Sequence, residues 1–173
     1  MYNTIREVDT SKKGIQMLSN SKVWIGIDPG ASGAIGLIDE NNETKVLEVL
    51  NVFEMVSVLR EFIELYDIQI VILEEVHAMA KIKASINFKL GMNFGQWQGV
   101  LTTLRIPYRL VPPKVWQRNL VKKQDGKDSK ERSLNVARRL FPDTDLSRKK
   151  DHNKADALLI AYFAKNLKTE DRD

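Results

Sequence analysis

Residues 23–39 read VWIGIDPGASGAIGLID, and this stretch decides the fold. VWIGID (23–28) and SGAIGLID (32–39) are apolar runs that each end on an aspartate. Short apolar runs bounded by turn residues read as buried strands. Asp-Pro-Gly (28–30) separates the two, and Asp-Glu-Asn-Asn (39–42) follows the second, so the chain reverses twice. TKVLEVL (44–50) then alternates like a third strand. Three hairpin-linked strands therefore open the folded part.

Working outward, VFEMVSVLREFIELY (52–66) is apolar at helical spacing and IQIVIL (68–73) is a short buried strand. Ser85 to Leu104 is helical in pattern but interrupted by Gly91, Gly95 and Gly99. IPYRLV (106–111) is a fifth strand, and PPKVWQRNL (112–120) a short helix with proline at its start. KKQDGKD (122–128) reads as a charged loop, SKERSLNVARRLF (129–141) as an amphipathic helix, and the last helix runs from about Asn153 to Asn166. Antiparallel strands followed by alternating helices and strands predict an α/β fold, a mixed five-stranded sheet flanked by helices. Ligands in such sheets sit outside the strand ends. The polar stretch 1–21 reads as a loose N-terminal extension without a signal-peptide core, 22–168 as one domain, and 169–173 as a polar tail.

Composition narrows the chemistry. The 173 residues contain no cysteine and two histidines. Disulfides, zinc–thiolate sites, thiol nucleophiles and histidine-rich metal sites are thereby excluded. A bound metal must rest on carboxylates, which points to Mg²⁺ or Mn²⁺. No run approaches the roughly 18 apolar residues of a membrane span. Residues 1–80 carry 6 Lys and Arg against 13 Asp and Glu, whereas residues 81–173 carry 21 against 10. The basic half suits a polyanion-binding face, or simply a solvated one.

Three acidic clusters stand out. Asp28 ends a buried strand, which is costly unless the carboxylate is paired, hydrogen-bonded or metal-bound; Pro29 to Gly33 then form a turn of small residues. Glu74 and Glu75 end IQIVIL in the same way, and strand alternation sends one toward the site and one away. Asp151, His152, Asn153 and Asp156 open the last helix. Asp151 reads equally as an ordinary N-cap, and His152 as a surface residue, a ligand or a partner of one. Asp156 lies a turn inside an otherwise apolar helix, which favours function. Carboxylates gathered from two strand ends and a helix would repel one another unless divalent cations joined them. Two such ions support in-line displacement at phosphorus. Lys114, Arg118, Lys122, Lys123 and Lys130 are candidates to hold phosphates, Lys114 and Lys130 being nearest the site in chain order. Phe88, Phe94, Trp97 and Trp116 read as core or dimer contacts, with base stacking the lesser alternative.

IGIDPGASGAIG (25–36), VILEEVHAM (71–79), SINFKLGMNFGQWQGVL (85–101) and KADALLIA (154–161) together resemble the RuvC-type Holliday junction resolvases of the retroviral-integrase/ribonuclease H-like superfamily. The form KKDHNKADALLIA is more similar to bacteriophage members, whose place would be the cytoplasm of a bacterial host. The resemblance implies a ribonuclease H-like fold, a homodimer, two Mg²⁺ or Mn²⁺ ions per site, and paired nicks across four-way DNA junctions. It assigns metal-holding roles to Asp28, Glu74 rather than Glu75, and Asp156. At the fourth position the chain departs from the family pattern. Asn153 stands where cellular bacterial relatives carry Asp or His, and His152 where mitochondrial relatives carry a carboxylate, so Asp151 and His152 are both retained as candidates. Alternatives within reach are a general debranching or flap nuclease, an RNA–DNA hybrid nuclease, and an inactive junction-binding module. A phosphotransferase with an actin-like strand–Asp–Gly turn needs two lobes, for which 173 residues are too few.

Overall fold

The computed structural model describes residues 21–30, 33–78, 80 and 82–167. The expected N-terminal extension (but for Ser21), the C-terminal tail, and Ala31 and Ser32 of the first turn lie outside the described residues. Five strands form one sheet: β1 (Lys22–Asp28), β2 (Ala34–Asp39), β3 (Thr44–Glu48), β4 (Asp67–Glu74) and β5 (Tyr108–Val111). Their order is β3-β2-β1-β4-β5. β1, β2 and β3 pair antiparallel, while β4 lies parallel to β1 and to β5. The mixed sheet expected from the pattern is the one observed.

The parallel pairings need crossovers. They run through α1 (Val52–Leu65) and α2 (Ala84–Thr103). Asn51 caps α1, its side chain accepting from the Glu54 N–H. The chain then continues through α3 (Pro113–Leu120), α4 (Ser129–Leu140) and α5 (His152–Lys165), with single 3₁₀ turns at Lys123–Asp125 and Lys149–Asp151. Asp128 caps α4 by accepting from the Glu131 N–H at 2.9 Å. The charged loop expected over 122–128 thus contains a turn and a cap.

Alternation along the strands sorts the core into two layers. Val23, Ile25 and Ile27 of β1, with Val71 and Leu73 of β4, pack against Met55, Leu59 and Phe62 of α1 and Trp97 and Leu101 of α2. Trp24, Ile38, Ile70 and Ile72 face the other way, onto α3, α4 and the apolar side of α5. Asp28 and Glu74 continue this second series, at i+4 from Trp24 and Ile70. Both carboxylates therefore leave the sheet on the α5 face. Among the described residues, no helix is long and apolar enough to cross a membrane.

Candidate active site

β1 and β4 are parallel, so their carboxyl ends lie at the same edge of the sheet. Ile27 pairs with Leu73, and the next residue on each strand is acidic: Asp28 and Glu74. The third carboxylate arrives on α5. That helix lies directly on the sheet because Gly26 and Gly36 leave room for it. A Cβ on Gly36 would come within 2.8 Å of the Ala157 carbonyl carbon and the Leu158 nitrogen, and one on Gly26 would overlap the backbone of Ala157 and Ala161. Asp156, next to Ala157, is thereby brought down beside Asp28.

Each carboxylate is held by particular groups. Asp28 is 7% exposed and accepts at Oδ1 from the Gly30 N–H at 2.9 Å. The following turn is tied to α2, since the Asn93 amide donates to the carbonyls of Pro29 and Gly30 at 3.0 and 2.7 Å. Glu74 accepts at Oε1 from the indole N–H of Trp116 at 2.9 Å. Asp156 is hydrogen-bonded by the buried Ser133 hydroxyl, while its Oδ1 is buried with no hydrogen-bond partner.

The electrostatics follow from burial and mutual repulsion. Burial pushes the Asp28 carboxyl up to about 6, against the opposing pull of the Gly30 N–H and Lys130. Burial, then the charge of Asp28, raises Glu74 to about 7. Asp156 is raised well above the usual carboxylate range by burial, then by Asp28 and Glu74. The three groups titrate as a set, each resisting ionisation of the others.

Among the described residues, no three His, Asp or Glu side chains are gathered closely enough to hold an ion in their present placement. The arrangement is three carboxylates within electrostatic reach rather than a closed cage. Its donor chemistry nevertheless fits a hard divalent cation: all oxygen, converging negative charge, and one buried oxygen left without a partner.

The other sequence candidates divide. Asp151 does not join the set. It is 1% exposed, and both its oxygens are committed to Arg148, with a guanidinium contact at 2.6 Å and the backbone N–H at 2.9 Å. Arg148 also reaches Glu48 of β3 at 3.2 Å, so Asp151 ties the entry of α5 to the sheet edge. Nor does its side chain cap α5. His152 faces a groove of about 810 Å³ that it lines with Lys130 and Lys149. Burial, then the charge of Lys130, lowers its imidazole pKa. Glu75 does not turn away: β4 ends at Glu74, alternation lapses, and Glu75 lines the same 580 Å³ cavity as Asp28, Glu74 and Lys114.

Lys114 and Lys130 thus flank the carboxylates from two sides. Arg118, Lys122 and Lys123 stand on the exposed end of α3 and the turn after it, where the Lys122 ammonium donates to the Arg118 carbonyl at 3.0 Å. Trp97 and Trp116 are 0% and 1% exposed, which excludes base stacking for both, while Phe88 is 72% exposed. Sequence reasoning passed over the Trp116 and Ser133 hydrogen bonds and the Asn93 tether. Helical spacing showed Trp116 as core, but nothing in the sequence showed which carboxylate its N–H meets.

The fold has solved counterparts. The chain aligns with the Thermus thermophilus RuvC structure at TM-score 0.55 and 20% identity, over 82% of this chain and 92% of that one. The chain has the ribonuclease H-like fold of RuvC. A T. thermophilus RuvC in complex with Holliday junction substrate aligns at TM-score 0.58 and 18% identity, over 82% of this chain and 91% of that one. No family model and no curated protein matches the sequence. Among these comparisons the likeness to RuvC is one of overall fold.

Proposed function

We propose that this protein is a metal-dependent, structure-selective DNA endonuclease that acts as a homodimer and resolves four-way junctions by paired nicks. The observation that carries the reading is the convergence of Asp28, Glu74 and Asp156 at one end of the sheet, Asp28 buried and the other two half-buried, mutually repelling, and with the buried Asp156 Oδ1 unpartnered. Such a set is destabilising on its own and becomes favourable when it binds cations. The RuvC fold, solved elsewhere on a Holliday junction, supports the choice of substrate.

Asp28, Glu74 and Asp156 would hold two Mg²⁺ or Mn²⁺ ions, which supply a water nucleophile at neutral pH and neutralise charge on the phosphate and the leaving oxygen. The chain's own residues do the rest. Gly30 and Trp116 fix the orientation of Asp28 and Glu74, and Ser133 that of Asp156. Lys114 and Lys130 draw the scissile strand's phosphates toward the carboxylates. Arg118, Lys122 and Lys123 extend the positive surface for sequence-independent phosphate contacts. His152, beside Lys130 in the groove, is placed to meet the strand rather than to replace a carboxylate.

A four-way junction has approximate two-fold symmetry, which two identical sites match. The outer side of α2 suits the pairing: Phe88 and Met92 are exposed there, and a Cβ on Gly91, Gly95 or Gly99 on the same side would meet nothing.

The test is cleavage of an end-labelled synthetic four-way junction in Mg²⁺, beside duplex, fork, flap and RNA–DNA hybrid, for wild type and Asp28→Asn. Symmetric nicks in the junction, lost in Asp28→Asn with binding retained, are expected. Equal cutting of every branched form would make the protein a general debranching nuclease. Cutting only of the hybrid would move it to the ribonuclease H activity. Binding without cutting in Mg²⁺ or Mn²⁺ would sink the catalytic reading.

A further inference from the structure

We infer that Trp116 is a positioning residue for Glu74: its indole N–H occupies Oε1, so that Oε2 is the oxygen presented toward Asp28 and a bound cation. The inference rests on the metal-dependent reading above and deepens it.

The supporting geometry is specific to this indole. The protein has three tryptophans. The ring nitrogens of Trp24 and Trp97 are buried without a hydrogen-bond partner, so burial alone does not bring an indole N–H a partner in this fold. Trp116 is equally buried, at 1% exposure, yet its N–H meets a carboxylate oxygen at 2.9 Å.

Both ends of that contact are fixed in place. The Glu75 N–H donates to the Val111 carbonyl at 3.0 Å, tying the end of β4 to the end of β5. Pro112 and Pro113 follow at once and open α3. Proline fixes φ, so the register between the end of β4 and the first turn of α3 has little freedom. Trp116 then lies one turn into α3 with its ring packed among Ile72, Leu134 and other apolar residues of the α5-side core. A hydrogen-bond donor on such a rigid mount does for Glu74 what outer partners do for metal ligands generally. It selects one rotamer and leaves one oxygen free.

The experiment uses the full chain, uniformly ¹⁵N-labelled, with Mg²⁺ as the probe. Three indole N–H resonances are expected. The one missing from Trp116→Phe is expected to sit furthest downfield in the proton dimension and to move saturably with Mg²⁺, while those of Trp24 and Trp97 stay put. Unchanged Trp24 and Trp97 resonances in Trp116→Phe certify that the variant is folded.

By calorimetry, Trp116→Phe should bind Mg²⁺ about tenfold more weakly than wild type, the scale typical of losing an outer-shell partner. In a Glu74→Gln background the same substitution should cause no further loss, because its route of action is gone. Equal Mg²⁺ affinity in wild type and Trp116→Phe would overturn the inference. So would a loss of the same size in the Glu74→Gln background, since that would mark a packing effect. Wild type that binds no Mg²⁺ would instead overturn the metal reading itself, and this inference with it.

Discussion

Gly26 of β1 lies so close beneath Ala157 of α5 that a Cβ on Gly26 would overlap the Ala157 carbonyl oxygen. The neighbour is helix backbone, which cannot swing aside as a side chain can. Gly26→Ala should therefore lift α5 off the sheet and carry Asp156 away from Asp28. Overpacking of this kind costs about 1–3 kcal/mol or more. A melting temperature lower by several degrees, together with weakened Mg²⁺ binding, is the expected result. An unchanged Gly26→Ala protein would mean that α5 does not rest on the sheet as described.

The pH dependence of stability has a definite sign. Asp28 and Glu74 are raised to about 6 and about 7, chiefly by burial. Asp156 is raised as well. The folded metal-free protein therefore holds more protons than the unfolded chain from about pH 4 to about pH 7. Stability from these groups is lost as pH rises through that window. The lowered carboxylates Asp125, Asp128, Asp145 and Asp151 act the other way and lose their contribution only at more acidic pH. Metal-free protein should be less stable at pH 8 than at pH 5.5, and Asp28→Asn should recover roughly 1 kcal/mol of that loss at pH 8. Mg²⁺ should raise the melting temperature more at pH 8 than at pH 5.5, because protons compete with it. Thermal melts of both proteins at the two pH values, with and without Mg²⁺, decide the matter. An Asp28→Asn protein that melts lower at pH 8 would refute the account.

Much of this arrangement was legible in the sequence, for physical reasons. IDPG and VILEE each place a carboxylate at the end of an apolar run, and alternation alone assigns a strand residue to a face. Asp156 interrupts an apolar helix, so its position demanded a purpose. Contacts that depend on tertiary distance were not legible. Asp151 satisfies the pattern of a cap or a ligand, yet a local partner three residues earlier, Arg148, takes its carboxylate. Glu75 breaks the alternation because the strand stops one residue before it. Gly26 and Gly36 read as strand glycines until α5 is seen pressed against them. Trp116 read as core and is core, but the direction of one N–H is a matter of how α3 is mounted.

Asp151 gives a clean separation of structural from catalytic roles. Its buried carboxylate binds Arg148 and lies 3.8 Å from Lys154, at the entry of α5. The pair is charge-assisted, but solvent screens it because Arg148 is half exposed. Asp151→Asn should therefore lower the melting temperature by a few degrees while leaving Mg²⁺ affinity and the rate of junction cleavage near wild type below that temperature. If Asp151→Asn kept its stability but lost Mg²⁺ binding, Asp151 would be restored as the fourth ligand.

Lys130 and Lys123 should fail in different ways. The charge of Lys130 favours the ionised forms of Asp28 and Asp156 and lowers the pKa of His152. Removing it in Lys130→Gln leaves those carboxylates harder to ionise, so the acidic limb of the cleavage profile should shift to higher pH. Junction affinity should fall as well, by about one phosphate contact's worth. Lys123 stands exposed on the turn after α3, outside the cavities that hold Asp28 and His152. Its substitution should weaken binding evenly across DNA sequences and reduce the salt dependence of affinity by about one phosphate contact's worth, with the pH profile unmoved. Single-turnover rates from pH 5.5 to 9, beside binding isotherms at several salt concentrations, separate the two. A pH profile unchanged in Lys130→Gln would leave that lysine a phosphate contact alone, without influence on the carboxylates.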